Sequence, residues 1–328
     1  MIRIEIGKNE QEQRLDKFLR KYLENAPLSF IYKSIRKDVK VNGKRGKEDT
    51  ILHLGDEVLL YISDGDFEKF RKRRQQSRTR RQFEIAYEDE NLLAVVKPLG
   101  LLTHGDSSEK KNHLANQVVD YLIEKGAFNP RLERTFTPAP VNRLDRNTSG
   151  LVLFGKTGPS LQALNRMVRE KDKIHKFYLT IVSGRVTKPL HLKDRMTKDE
   201  KKNRITVVPM EGSGKEMETI AVPLQHGTFC GRDCTLLEVE IITGRTHQIR
   251  AHLAGAGYPV LGDPKYGDGK INAAAGREFG LSCQLLHAYR LEFGSCTGDF
   301  SYLSGKEIRA QLPETFTGIK KYIFEQDE

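Results

Sequence analysis

A chain of 328 residues has room for about two domains, and with 38% hydrophobic and 30% charged residues it has the balance of a globular protein. No apolar run approaches the roughly 20 residues that span a bilayer, and the opening MIRIEIGKNE has no apolar signal core, so the expected location is cytoplasmic. The net charge of +11 is uneven: residues 1–81 carry 21 Lys/Arg against 13 Asp/Glu, whereas the rest of the chain carries 34 against 31, the footprint of a nucleic-acid-binding module on a nearly neutral body.

Residues 12–62 read as a small unit. QRLDKFLRKYL places Leu15, Phe18, Leu19 and Tyr22/Leu23 on one helical face, with Arg14, Lys17, Arg20 and Lys21 mostly off it. SFIYKSIRKD repeats the arrangement, with Phe30, Ile31 and Ile35 inward and Lys33, Arg36 and Lys37 outward. VKVNG then predicts a strand and tight turn, and LGDEVLLYI a second strand after a Gly-Asp turn. Two basic helices followed by a small β-element resemble the S4 RNA-binding module, and the resemblance covers about fifty residues. It implies RNA contacts through Arg14, Lys17, Lys33, Arg36, Lys37 and Lys44.

Residues 64–82 read as a linker, because KFRKRRQQSRTRR (Lys69 to Arg81) holds eight basic residues and no acidic one. Like charges keep such a segment extended when free. From Phe83 onward one large domain is expected to run to the end. Strand-like FEIAYED, NLLAVVKP, GLVLFGK, KFYLTIVSG and CTLLEVEII alternate with helical HLANQVVDYLIEKG, GPSLQALNRMVREK and THQIRAHLAGAG. The pattern predicts an α+β domain with a mixed, largely antiparallel sheet.

Within NRLDRNTSGLVLFGKT, Gly150 to Thr157 formally match the phosphate-loop pattern GxxxxGK[ST]. Such a loop needs free backbone N–H groups to wrap phosphates. Leu151 to Phe154 instead form an apolar run whose N–H groups belong to a sheet, and DRNTSG before it is a turn rather than a strand. The phosphate-loop reading is therefore rejected. The turn concentrates two arginines, an Asp, an Asn and two hydroxyls just before a buried strand. Taken alone, Asp145 is equally a turn former or a side chain held at a cleft edge.

No metal site is expected. Cys230 and Cys234 form a C-x3-C pair, but Cys283 and Cys296 supply no second close pair, so free thiols are the reading. His247 and His252 lack HExxH spacing, and with His104 they are expected to be structural.

RLDRNTSGL resembles the RLDxxTSG signature of the pseudouridine synthases that act on ribosomal large-subunit and some transfer RNAs. VVKPLGLLTH resembles that family's KPxGxxxH motif, and HKFYLTIVSG its K-x-Y strand. TGRTHQIRAHLAGAGYPVLGDPKYG, followed by LLHAYRLEF, resembles the C-terminal half of its active site. One departure is Asn142, where the family usually has His.

The resemblance implies three parts: an S4-like domain over 1–63, a basic linker over 64–82 and a pseudouridine synthase catalytic domain over 83–328. It implies isomerisation of uridine, with large-subunit rRNA as the favoured target, by cleavage of C1′–N1 and formation of C1′–C5, with no cofactor. Asp145 would act on the ribose as nucleophile or base, Arg245 would pair with it, and Tyr178 would lie against the base. Lys176 would support that strand, Leu286 would floor the site, and Arg143 would grip the opened helix. The expected partner is RNA, with no membrane, and the expected state is a monomer. The alternatives are a non-catalytic S4-type RNA-binding protein, a tRNA-directed synthase, and an RNA N-glycosidase that would release free base.

Overall fold

The computed structural model describes residues 1–71, 79–130, 132–133, 135–199 and 204–325. The first stretch contains β1 (Ile2–Glu5), β2 (Gln13–Arg14), α1 (Leu15–Tyr22), α2 (Leu28–Asp38), β3 (Val39–Val41), β4 (Lys44–Arg45), β5 (Ile51–Leu52), β6 (Glu57–Leu60) and α3 (Asp64–Phe70). Leu15, Phe18, Leu19 and Leu23 meet Ile31 and Ile35 in one core, which leaves Arg14, Lys17, Arg20, Lys21, Lys33, Arg36 and Lys37 exposed. The two apolar stripes therefore do what their helical spacing requires. Asn42 and Gly43 both have positive φ, 50° and 76°, as a two-residue hairpin between β3 and β4 demands. The four-stranded sheet runs β1-β6-β3-β4, and β2 pairs with β5 beside it.

The expected linker starts too early at residue 64. Ser63 caps α3 by accepting the N–H of Asp66, and the helix lays Phe67 on Tyr22 and Phe70 on Phe30, with ring centroids 5.9 and 4.6 Å apart. These two aromatics close the core between α1 and α2, so 64–70 belongs to the N-terminal unit. Residues 72–78 of the basic run lie outside the described residues. Beyond them, Thr79 donates its N–H and hydroxyl to Asp120, and Gln82 donates its N–H to Gln117.

The remainder contains β7 (Glu84–Glu88), β8 (Leu92–Lys97), α4 (Leu114–Glu124), β9 (Ala139–Pro140), β10 (Ser149–Gly155), α5 (Gly158–Arg169) and β11 (Ile174–Ser183). There follow β12 (Leu190–Asp199), β13 (Arg204–Val208), β14 (Lys215–Phe229), β15 (Arg232–Ile241), α6 (Gln248–Gly255), α7 (Gly269–Phe279), β16 (Leu286–Phe293), β17 (Glu307–Arg309) and α8 (Glu314–Phe324). One 11-stranded sheet runs β13-β12-β14-β15-β11-β16-β10-β8-β7, with β9 on β10 and β17 on β16. Its described pairings are antiparallel except β10 with β16, so the expected mixed, largely antiparallel α+β architecture is present.

Strand β10 explains the apolar run LVLF. Val152 and Phe154 face α4, while Leu151 and Leu153 face α5, so both faces are buried and no polar alternation appears. Leu151 to Gly155 are also in register with β8, which takes up the backbone that a phosphate loop would leave free. Where β10 meets β16, Gly150 has φ +116° and lies so close that a Cβ would collide with the Ala288 carbonyl. Only glycine fits that approach. It brings the start of β16 beside the turn that carries Asp145.

The N-terminal unit rests on the body through Asn9. Its side-chain oxygen accepts the N–H of Gly158 at 2.7 Å, in the first turn of α5, and its amide donates to Glu133 at 2.7 Å. Thr135 donates to Glu10 alongside. Among the described residues no helix is long and apolar enough to cross a membrane.

Candidate active site

The turn before β10 is clamped on both sides of Asp145. The Thr103 hydroxyl donates to the Leu144 carbonyl at 3.0 Å and accepts the Leu144 N–H at 3.2 Å. Lys97, fully buried at the end of β8, donates from Nζ to the carbonyls of Pro98, Leu101 and Arg146 at 2.9, 2.8 and 3.1 Å. Burial pushes the Lys97 pKa down to about 7, with nearby Asp145 pulling the other way. Both neighbours of Asp145 are thus tied to the β8 loop, which fixes the backbone that carries the carboxylate. Lys97→Met keeps the apolar stem and leaves three carbonyls without their donor. Its thermal or urea unfolding should show a loss of about 1–3 kcal/mol, and unchanged stability would mean the clamp holds nothing.

Asn142 accounts for the departure noted in the sequence. Its side chain accepts the Leu153 N–H at 2.8 Å and donates to the Leu151 carbonyl at 3.2 Å, so it is bound to the edge of β10.

The cation beside Asp145 is Arg250, not Arg245. Arg250 Nη1 donates to Asp145 Oδ2 at 3.1 Å, while its Nε and Nη2 hold Asp263 at 2.6 and 2.9 Å in a bidentate pair. The Asp145 side chain is 28% exposed, whereas those of Arg250 and Asp263 are 5% and 0% exposed. Burial works to raise the Asp263 pKa, but the Arg250 bonds and charge, with the N–H groups of Lys265 and Tyr266, hold it below the usual carboxylate value. Arg245 instead lies before α6, exposed, with Nε on the Glu216 carbonyl at 3.1 Å. Helix α6 is buried from Gln248 to Leu253, so its internal arginine points inward and the preceding one does not.

His247 also reaches this carboxylate, with Nε2 3.9 Å from Asp145 Oδ2. It caps α6 in the left-handed region at φ 52°. His252 is different: it is buried, with Nδ1 2.8 Å from the Thr219 hydroxyl. His104 is exposed in the β8 loop. The four cysteines are unpaired thiols.

Asp145 opens into a cleft also lined by Arg143, Tyr178, Ile241, Arg245 and Leu286. Tyr178, on β11 opposite Ala288 and Val239, is buried, and burial, then the charge of Asp145, raise its pKa well above the usual phenol value. It is therefore a neutral, protonated ring. Leu286 opens β16 and is buried on the same wall. Lys176 is not at the cleft head: its Nζ donates to the Ile174 carbonyl at 3.2 Å, and it lines a trough running on from the cleft. Arg143, Arg169, Lys171 and Arg245 line the same trough, with Glu216 among them.

The basic residues expected on the N-terminal unit are all exposed. Arg14 and Arg36 share a depression with Arg45 and Lys47, which does not include Lys17, Lys33, Lys37 or Lys44. Arg14 also pairs with Asp16 at 3.0 Å.

Residues 91–255 match the RNA pseudouridylate synthase family. The chain is 31% identical over 323 residues to the ribosomal large subunit pseudouridine synthase C of Vibrio parahaemolyticus, covering 97% of this chain and 96% of that protein. It is 34% identical over 304 residues to the Escherichia coli K12 protein of the same name, covering 88% of each. Among solved structures, human RNA pseudouridylate synthase domain containing 4 aligns over 72% of this chain and 91% of its own, with a TM-score of 0.54 and 19% identity. Human RNA pseudouridylate synthase domain containing 1 aligns over 74% and 94%, with a TM-score of 0.51 and 21% identity. At those identities the likeness is one of fold.

Proposed function

The chain belongs to the RNA pseudouridylate synthase family, and from that premise we propose that it isomerises one or more uridines of large-subunit ribosomal RNA, with Asp145 acting on the ribose. The target class rests on the names of relatives that match nearly the whole chain. The observation that carries the site is a carboxylate with a buried guanidinium 3.1 Å away, at the head of a cleft walled by a neutral Tyr and apolar side chains.

The reaction breaks C1′–N1, turns the base, joins C1′ to C5 and sheds the C5 proton, so it needs no co-reactant. An ionised carboxylate serves either route, attack at C1′ or removal of the C2′ proton. A bound base covers that carboxylate and strips its water, and the Arg250 guanidinium offsets the cost of leaving it charged. Tyr178 packs against the uracil face, Leu286 floors the site, and neither competes for a proton. A uridine in a helix must first be turned out of its stack. Arg143, exposed at the junction of cleft and trough, stacks in the vacated space or pairs with a phosphate, and the basic trough takes the flanking backbone.

The test is tritium release from large-subunit rRNA carrying 5-tritiated uridine. Tritium in water without free uracil is the expected result. Free uracil identifies a glycosidase. Release only from transfer RNA moves the target, and no release from either RNA leaves a binding protein.

Residues 1–70, the part read as S4-like together with α3, hold 14 Lys/Arg and 13 Asp/Glu, so the basic excess sits in 71–81, which add seven cations and no acid. Neutralising those seven to Gln should flatten the slope of log affinity against log salt by up to about 5, at roughly 0.7 per single-strand phosphate. Removing the cations of the Arg14–Arg36–Arg45–Lys47 depression alone should change it by less. Filter binding across a salt series decides, and an unchanged slope in the first variant means the segment does not touch RNA.

A further inference from the structure

We infer that His247 is a positioning residue that turns an Nε2–H toward Asp145, and that Tyr266 fixes it in this tautomer from an anchor on strand β13. The inference rests on the reading of Asp145 as the acting carboxylate, but its argument is one of hydrogen-bond direction. A backbone N–H only donates. The Ile205 N–H, on β13, reaches Tyr266 Oη at 2.7 Å, so the phenolic oxygen accepts there. The other partner of that hydroxyl among the described residues is His247 Nδ1 at 3.1 Å. If Nδ1 carried a proton, the oxygen would face two donors and its own hydrogen would have no acceptor, a poor arrangement for a part-buried group. The hydroxyl therefore donates to Nδ1. A neutral imidazole that accepts at Nδ1 is protonated at Nε2, and Nε2 is the atom 3.9 Å from Asp145 Oδ2.

Three features hold the imidazole neutral and in place. His247 is buried, and burial lowers its affinity for a proton, with the Arg250 cation adding to that effect while Asp145 opposes it. The Tyr266 ring stands edge-on to the imidazole with centroids 5.8 Å apart. Its faces meet two cations, Arg250 at 5.3 Å and Arg204 at 5.4 Å, and Arg204 also belongs to β13. Tyr266 thus joins the edge strand of the sheet to both groups that face Asp145. At 3.9 Å the His247 contact is longer than a hydrogen bond, and it turns an oriented N–H toward Oδ2, the same oxygen that Arg250 holds at 3.1 Å. Displacing the β12–β13 hairpin would remove the Ile205 donor and free the tautomer.

The ring nitrogens of the full-length protein, labelled with 15N-histidine, report the tautomer directly in long-range proton–nitrogen spectra above pH 7, with His247 assigned by its loss in His247→Asn. The expected result is Nε2–H in the native protein and a mixed or reversed tautomer in Tyr266→Phe. Single-turnover isomerisation by Tyr266→Phe should fall about tenfold, as for other partners that orient a histidine, with RNA affinity unchanged within about twofold and unfolding still cooperative at a similar midpoint. Nδ1–H in the native protein overturns the inference, as does a Tyr266→Phe protein with native tautomer and rate. A rate loss that follows only lost RNA affinity or a lowered midpoint also overturns it. Asp145→Asn separates the two readings: isomerisation surviving in that variant removes the assigned role of Asp145, whereas the tautomer assignment stands or falls on the spectra.

Discussion

Asp145→Asn is expected to end isomerisation while leaving the fold and RNA binding in place. Asparagine has nearly the same shape, its carbonyl still accepts from Arg250, and the backbone around it is held by Thr103 and Lys97 rather than by the carboxylate. What it lacks is the charge that either attacks C1′ or takes the C2′ proton. Loss of a group with that duty should lower single-turnover tritium release by about four orders of magnitude or more. Filter binding to the same RNA should change by less than about threefold. Residual turnover within a hundredfold of the native rate would assign the chemistry to another group.

Arg250→Met is expected to damage the fold as well as the site. One guanidinium serves two carboxylates, and the one it holds more closely, Asp263, is fully buried. Breaking a buried pair from one side costs about 3–5 kcal/mol because the other charge is left alone. The pH dependence follows from the sign. Native Asp263 has a lowered pKa, so its contribution is full above the ordinary carboxylate range and is lost as pH falls through the lowered value. In the variant the same group, buried without a cation, is relieved by protonation. The stability deficit should be widest near neutral pH and narrow in acid. Urea unfolding at several pH values measures it, and a deficit independent of pH would mean Asp263 is not the stranded charge. Arg250→Lys keeps a cation but cannot reproduce a three-bond, two-carboxylate geometry, and should fall between.

The elements most legible in the sequence were those with a buried face at a fixed period. α1, α2, α4, α5 and β11 each show one, while β8 and β10, buried on both faces, show instead as short unbroken apolar runs. The hairpin of β12 and β13 did not stand out, because much of it is exposed and polar, with His191, Lys193, Thr197 and Lys198 turned outward. Helix α3 was hidden by the basic run after it, although Ser63 followed by acidic residues is an N-terminal signal.

At the site, Asp145, Tyr178, Leu286 and Arg143 come together as read, since each lies on or beside a strand whose course the apolar pattern dictates. The choice of arginine in TGRTHQIR failed for a different reason. An arginine amid buried positions of a short helix needs a carboxylate, and Asp263 arrives from beyond a turn, 13 positions later. The clue was the apolar spacing of Ile249 and Leu253, which draws the intervening Arg250 inside.

The seat of Asn9 on α5 sets the span between the N-terminal unit and the trough. Helix α5 begins under the N-terminal unit at Gly158 and ends at Arg169, on the rim of the trough. Its 12 residues, at about 1.5 Å each, make a strut of roughly 18 Å. One helix therefore carries the seat of the N-terminal unit at its first residue and a basic residue of the trough at its last, so the span between them changes only if the helix itself bends or frays.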